Sequence, residues 1–127
     1  MPNVATILIL DEQADSCMLI KRVLERDEHT VFTAAGPDHA LSVVKSRSVD
    51  LVILDINPHG KGLAEFASEI KEIDPGLKVL TITHSASDFA DKMLWDDFVL
   101  KPVDIEQLES KVRTILKTRA LTNTQRL

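Results

Sequence analysis

The stretch Asp50–Asp55, with the sequence DLVILD, decides the fold because its four central residues are all apolar. An apolar run of this length without polar alternation is typical of a strand that is buried on both faces. A similar run, Val4–Leu10, is followed directly by Asp11 and Glu12. Strands buried on both faces are characteristic of parallel sheets with helical crossovers, so we expect an α/β fold.

Short apolar runs alternate with amphipathic stretches outward from this segment in both directions. Strands are predicted at Val4–Leu10, Thr30–Ala34, Asp50–Asp55, Leu77–Thr83 and Asp97–Leu100. Helices are predicted over Ala14–Asp27, after the turn Gly36-Pro37-Asp38, over Leu63–Ile73, over Ser85–Leu94 and after the capping residue Asp104. Five alternating β and α units predict a doubly wound domain around a five-stranded parallel sheet.

The first predicted helix carries an apolar stripe at helical spacing. Met18, Leu19, Val23 and Leu24 form this stripe, with charged residues between them, and we expect it to face the sheet. Cys17 lies within the same apolar face, which indicates a small buried hydrophobic residue rather than a reactive thiol.

Length and composition narrow the class of protein. A chain of 127 residues fits one domain, which we place at 1–119, with 120–127 as a polar tail or the beginning of a linker. The net charge of −5 argues against direct nucleic acid binding. A single cysteine, the lack of an apolar run long enough to span a membrane and the lack of a signal-peptide pattern indicate a cytoplasmic protein.

Chemically capable side chains follow the carboxyl ends of the predicted strands, namely Asp11, Glu12, Asp55, Thr83 and Lys101. Ligands of parallel α/β sheets bind at this edge. Carboxylates that meet there repel one another unless a cation relieves them, and an oxygen-only donor set suits Mg²⁺. An ammonium and a hydroxyl beside the metal form a cradle for a transferring phosphoryl group, with Asp55 as its nucleophile.

Four segments carry a resemblance to a known family, namely ILILDE at Ile7–Glu12, DLVILD at Asp50–Asp55, VLTIT at Val79–Thr83 and FVLKP at Phe98–Pro102. In this order and spacing they resemble the signature segments of the response-regulator receiver domain, the chemotaxis-type switch of two-component signalling. The resemblance covers Val4 to about Arg119. It implies a flavodoxin-like (βα)5 fold with strand order 2-1-3-4-5.

The resemblance also implies a role for each matching residue. Asp55 would be the phosphorylated aspartate, and Lys101 would pair with its phosphoryl group. Asp11 and Glu12 would hold Mg²⁺ together with Asp55 and the backbone carbonyl of Asn57. Two further residues would form the switch, Thr83 through its hydroxyl and Phe98 as the rotating aromatic.

The implied partners are a histidine kinase or phosphotransfer protein and a downstream target or output domain. Such a receiver phosphorylates and dephosphorylates itself with Mg²⁺ and turns over no separate substrate, so it is not an enzyme in the ordinary sense. We expect no membrane partner, and the sequence leaves homodimerisation open.

The chain departs from the family pattern at several places, among them Glu12, which replaces the more common second aspartate. Pro58 lies three residues after Asp55, which makes the loop one residue short. The interval from Thr83 to Lys101 is about four residues shorter than usual, so the fourth helix should lack about one turn. His84 stands where the family prefers a small residue, and its ring would crowd the phosphate entrance.

Two other functions remain open on sequence grounds. The short fourth helix and His84 favour a receiver-like interaction module that works without phosphorylation. A phosphohydrolase of the haloacid-dehalogenase kind would also use an aspartate nucleophile. It would need a second acid two residues after Asp55, where this chain has Asn57.

Overall fold

The computed structural model describes residues 4–11, 14–55, 63–84 and 96–125. It contains a five-stranded sheet in the order β2-β1-β3-β4-β5, and every pairing is parallel. The strands are β1 Thr6–Leu10, β2 Thr30–Ala34, β3 Leu51–Asp55, β4 Lys78–Thr83 and β5 Asp97–Leu100. The predicted parallel sheet and its strand order are confirmed.

Four helices are described with the sheet: α1 Ala14–Arg26, α2 Pro37–Ser46, α3 Leu63–Ile73 and α4 Ile105–Gln125. The helix predicted over Ser85–Leu94, including its shortening, lies outside the described residues. Asp104 caps α4 as expected, because its Oδ1 accepts the N–H groups of Glu106 at 3.0 Å and Gln107 at 3.3 Å. No helix in the described ranges is long and apolar enough to cross a membrane.

The core consists of two apolar clusters, one on each face of the sheet. In β3, Leu51 and Ile53 belong to the cluster covered by α1 and α4, whereas Val52 and Leu54 belong to the cluster covered by α2 and α3. All four side chains are fully buried. Burial of each contributes about 1.5–3 kcal/mol, so both faces of the sheet hold β3 in place.

The stripe predicted for α1 is wrong in part. The buried residues are Cys17, Ile20, Val23 and Leu24, whereas Met18 and Leu19 are 50% and 57% exposed. Spacing alone did not distinguish two neighbouring apolar faces of the same helix, and the structure rotates α1 so that Cys17 and Ile20 meet the sheet. The expected burial of Cys17 is confirmed.

Polar side chains fasten the amino-terminal edge of the sheet. Asp50 Oδ2 accepts the N–H of Thr6 at 2.9 Å, which ties the start of β3 to the start of β1. The buried Arg119 reaches down from α4, with its Nε 3.4 Å from Asp50 Oδ1 and its Nη2 2.8 Å from Asp74 Oδ2. These ion pairs, which we call the Arg119 clamp, join α4 to the loops that precede β3 and β4.

The last helix continues past the predicted domain boundary at residue 119 and stays helical to Gln125. The helix therefore does not end at residue 119. The division into a domain over 1–119 and a tail over 120–127 stays a prediction.

His29 links the chain before β2 to the chain before β1. The N–H of Ala5 donates to Nδ1 of His29 at 3.1 Å. Partial burial lowers the pKa of the His29 imidazole below its ordinary value, and the carboxylates of Asp27 and Asp50 oppose this effect without reversing it. The folded state therefore favours the neutral ring, which is the form that can accept this hydrogen bond.

We expect acid to destabilise the fold partly through His29. Its folded-state pKa lies below its unfolded value, so the unfolded state binds more protons in this range. The stabilisation is present above the unfolded pKa of about 6.5 and is lost as the pH falls through the folded-state value. Urea unfolding across this range should show a steeper loss of stability in the wild type than in His29→Asn, whose side-chain oxygen still accepts the N–H.

The matched control is His39→Asn, because His39 is exposed on α2. That variant should follow the wild type at every pH. Parallel stability curves for the wild type and His29→Asn would contradict the assignment.

Candidate functional site

Two aspartates lie side by side at the carboxyl end of the sheet. β1 and β3 are paired with Leu10 opposite Leu54, so the next residues, Asp11 and Asp55, are neighbours across the ladder. Parallel strands lie about 4.8 Å apart. Asp11 is 7% exposed, and the Asp55 side chain is 10% exposed. The sheet therefore brings two largely buried carboxylates together, as the sequence predicted.

The strands fix the positions of these carboxylates, because the apolar residues that precede each aspartate are buried. The N–H of Asp11 donates to the carbonyl of Ala34 at 3.1 Å, so β1 stays joined to β2 beyond its formal end. Asp55 is the last residue of β3 and stands opposite Ile82 of β4. Each aspartate is thus the first polar residue after a run of buried apolar residues, Asp11 just beyond β1 and Asp55 as the last residue of β3.

Lys101 reaches Asp55 from the far side of β4. Its Nζ lies 2.6 Å from Asp55 Oδ1, with the two side chains 24% and 10% exposed. The backbone positions the lysine, because Thr83 pairs with Leu100 and the N–H of Lys101 donates to the carbonyl of Thr83 at 2.8 Å. Three neighbouring strands, β3, β4 and β5, therefore fix this ion pair.

The negative charges of Asp11 and Asp55 affect the pKa of the Cys17 thiol on α1. Burial is the main cause that raises the pKa of the Cys17 thiol, and the nearby negative charges of Asp11 and Asp55 raise it further. The ammonium of Lys21 opposes them. The thiol is therefore held in its protonated form beneath a negatively charged site, which agrees with the predicted unreactive cysteine.

Thr83 on β4 and Phe98 on β5 belong to the other face of the sheet from Asp55. Asp55 is two residues from Ile53 and shares its face of the sheet. Thr83 shares the opposite face with Thr81, and Thr81 is paired with Phe98 on β5, so Phe98 lies on that face too. Thr83 is fully buried, and Phe98 is half-buried. The structure thus places the two predicted switch residues on one common face, behind the strand ends that carry Asp55 and Lys101.

The rest of the predicted metal site is not described. Glu12 and Asn57 lie outside the described residues, so Asp11 and Asp55 are the predicted ligands that the structure brings together. Within the described ranges, no group of three histidine, cysteine or acidic residues converges as a set of metal ligands.

A cavity of about 370 Å³ opens beside the ion pair and is lined by Asp55, Lys101 and His84. Its other walls are apolar side chains from α1, β4 and the segment leading into α4, including Leu19 and Ile105. The sequence predicted His84 at the entrance, and the structure puts this exposed residue in the wall. The contribution of Leu19 was missed, although its place beside Ile20 in an apolar helix was a visible signal.

Known proteins share this fold and parts of this sequence. The family model for the response regulator receiver domain matches residues 7–113. Among curated proteins, the transcriptional regulatory protein YvrH of Bacillus subtilis is 34% identical over an alignment of 119 residues, and the match covers 89% of this chain and 49% of that protein. The chain spans about half the length of the first curated relatives that it matches.

Solved structures agree with the sequence matches. A CheY-like receiver domain protein from Methanospirillum hungatei superposes with a TM-score of 0.83 at 25% identity, covering 94% of this chain and 98% of that one. NtrX from Brucella abortus gives 0.85 at 30% identity, covering 95% of this chain and 28% of that one. Since the family model covers most of the chain and these folds coincide, the chain belongs to the response regulator receiver domain family.

Proposed function

We propose that Asp55 accepts a phosphoryl group from a histidine kinase or phosphotransfer protein, and that the acyl phosphate switches a partner surface. The observation that carries this proposal is the ion pair of 2.6 Å between Asp55 Oδ1 and Lys101 Nζ. It joins a largely buried carboxylate to a partly exposed ammonium at the edge where ligands of parallel sheets bind.

The proposed transfer forms a bond between an Asp55 oxygen and phosphorus and breaks the bond from phosphorus to the donor histidine nitrogen. Lys101 is placed to follow the charge, because its ammonium can pass from the carboxylate to an oxygen of the incoming phosphoryl group. The apolar walls beside Asp55 limit the access of bulk water, which strengthens the attraction between these groups.

Magnesium fits the donor set at this edge. Asp11 and Asp55 offer only carboxylate oxygens, which Mg²⁺ prefers, and the ion commonly takes one or two carboxylates together with waters. Asp55 Oδ1 already accepts one cation, the Lys101 ammonium at 2.6 Å, so this largely buried carboxylate is suited to positively charged partners. Asp11, Asp55, Glu12 and the carbonyl of Asn57 would hold the ion, which would neutralise charge on the phosphoryl oxygens.

The proposed switch uses Thr83 and Phe98. The hydroxyl of Thr83 would donate to a phosphoryl oxygen, and the space that it leaves would admit the Phe98 ring. One charge-assisted hydrogen bond is worth about 1.5–3 kcal/mol, which shifts a two-state equilibrium by about one or two decades. The common face of Thr83 and Phe98 supports this coupling.

The proposal makes the chain a signalling receiver that modifies itself rather than an enzyme that turns over a separate substrate. Several curated relatives are named as transcriptional regulators, and the chain matches only about half of their length. We therefore propose that either an output domain or a separate partner protein reads its phosphorylation state.

Incubation with acetyl phosphate and Mg²⁺, followed by intact-mass spectrometry, should add one phosphoryl group to the wild type. Asp55→Asn should gain none, because the amide keeps the shape but is no nucleophile, and Asp38→Asn on the exposed start of α2 should behave as the wild type. No adduct on the wild type would favour the interaction module that works without phosphorylation. Repeated turnover of phosphate esters would favour the hydrolase.

Magnesium should bind with a dissociation constant in the millimolar to sub-millimolar range, or about −4 to −5 kcal/mol. Relief of the repulsion between Asp11 and Asp55 provides the driving force. Isothermal titration calorimetry with MgCl₂ should show this binding in the wild type and in Asp38→Asn, and a loss of at least about tenfold in Asp11→Asn. Undiminished affinity in Asp11→Asn would place the ion elsewhere.

His84→Ala should accelerate both the formation of the adduct from acetyl phosphate and its hydrolysis. The imidazole forms part of the cavity wall beside Asp55 and Lys101, so its removal should admit small donors and water more easily. The formation rate and the half-life of the adduct are the measurements, with His39→Ala as the control for a lost exposed histidine. Unchanged rates in His84→Ala would show that the ring does not obstruct the site.

A further inference from the structure

The backbone of Phe98 is held by side chains rather than by a neighbouring strand on its outer side. β5 is an edge strand of the described sheet, and edge strands present unpaired N–H and C=O groups. The N–H of Phe98 donates to Asp97 Oδ1 at 2.7 Å, and its carbonyl accepts from Lys111 Nζ at 2.6 Å. Lys111 Nζ also lies 3.0 Å from Asp97 Oδ1, so one ammonium joins both acceptors to α4.

The same ammonium lies over the aromatic ring. Lys111 Nζ is 5.0 Å from the centroid of the Phe98 ring, within the range of an attractive cation–π contact. Phe98 has no hydroxyl, so its ring cannot be held by a hydrogen bond of its own. The charge of Lys111 is therefore one force that can select its orientation.

We infer that Lys111 is a positioning residue for Phe98, which holds the ring in the orientation of the unphosphorylated protein. The link to signalling rests on the proposed function, in which this ring turns when Asp55 is phosphorylated. The Lys111 ammonium forms an ion pair with Asp97, donates a hydrogen bond to the Phe98 carbonyl and makes a cation–π contact with the Phe98 ring. Lys111 thereby sets how readily the aromatic can leave its resting orientation.

A neighbouring lysine provides the matched comparison. Lys78 pairs with Asp96 at 3.8 Å near the start of β4 and carries the same charge on the same side chain. This contact is with a carboxylate rather than with the ring of Phe98. A general loss of surface charge would therefore affect both lysine variants, whereas the positioning role belongs to Lys111 alone.

Removal of the charge should release the ring by a measurable amount. Cation–π contacts at partly exposed sites correspond to roughly a two- to fivefold change in population. Lys111→Met keeps the aliphatic stem and removes the charge, so the turned state of Phe98 should gain about this factor. Lys111→Arg keeps a cation over the ring and should restore the wild-type distribution.

The test uses ¹⁹F nuclear magnetic resonance of the whole chain labelled with 4-fluorophenylalanine at its four phenylalanines. The Phe98 resonance is assigned from its disappearance in Phe98→Leu. Spectra of the wild type, Lys111→Met, Lys111→Arg and Lys78→Met are recorded with and without beryllofluoride and Mg²⁺, which mimic the phosphoryl group. Without the mimic, the Phe98 resonance of Lys111→Met should move toward the position that the mimic induces in the wild type, and the other two variants should not move.

The outcomes separate this inference from the proposed function. An unmoved Phe98 resonance in Lys111→Met overturns the positioning role. If the wild type ignores beryllofluoride, phosphorylation at Asp55 fails, and a shift of the Phe98 resonance in Lys111→Met that Lys111→Arg does not show still supports the assignment of the ring position to Lys111. Should Lys111→Met fail to fold, Asp97→Asn removes the anchor of the ammonium instead, and an unmoved resonance there overturns the inference equally.

Discussion

The central place of β3 is the constraint on which the rest of the molecule depends. β3 is paired on both sides, to β1 and β4, and its apolar side chains are fully buried on both faces. Such a strand cannot shift its register by one residue without turning every side chain to the opposite face. Asp55, which ends β3, and Asp50, which directly precedes it, are therefore fixed at opposite edges of the sheet: Asp55 faces the candidate site, and Asp50 receives the Arg119 clamp. The candidate site and the Arg119 clamp thus lie at the two ends of the same central strand.

Much of the fold could be predicted because burial on both faces leaves a plain trace in the sequence. The runs that end in Asp11, Asp55, Thr83 and Lys101 gave the strands, and parallel topology required that these residues share one edge. Asp11, Asp55 and Lys101 come together as the sequence predicted. The orientation of α1 was not predictable from spacing, because Met18 and Leu19 are as apolar as the buried Cys17 and Ile20. The orientation of α1 depends on which of its side chains fit against the sheet and α4, and this fit is determined only when the whole molecule is packed.

The contact between Lys111 and Phe98 illustrates a second limit of sequence reasoning. Lys111 sits in an amphipathic helix among other charged residues, and its spacing indicates only a solvated face. Its three interactions, with Asp97, the Phe98 carbonyl and the Phe98 ring, arise because α4 packs against an edge strand with unpaired backbone groups. Partners that the chain brings together only after folding carry no local periodicity. The same holds for Arg119, which joins Asp50 and Asp74 across the amino-terminal edge.

The Arg119 clamp also limits how α4 can move. The helix has 21 residues, or about 31 Å at 1.5 Å per residue, and Arg119 lies in its second half. A slide of one turn, about 5.4 Å along the axis, would separate the guanidinium from both Asp50 and Asp74. A tilt about Arg119 would leave both ion pairs close to their present geometry while the beginning of the helix, beside Lys101 and the cavity, changes position. The position of the clamp is therefore compatible with a tilt of α4 about Arg119 and opposes a slide along the helix axis.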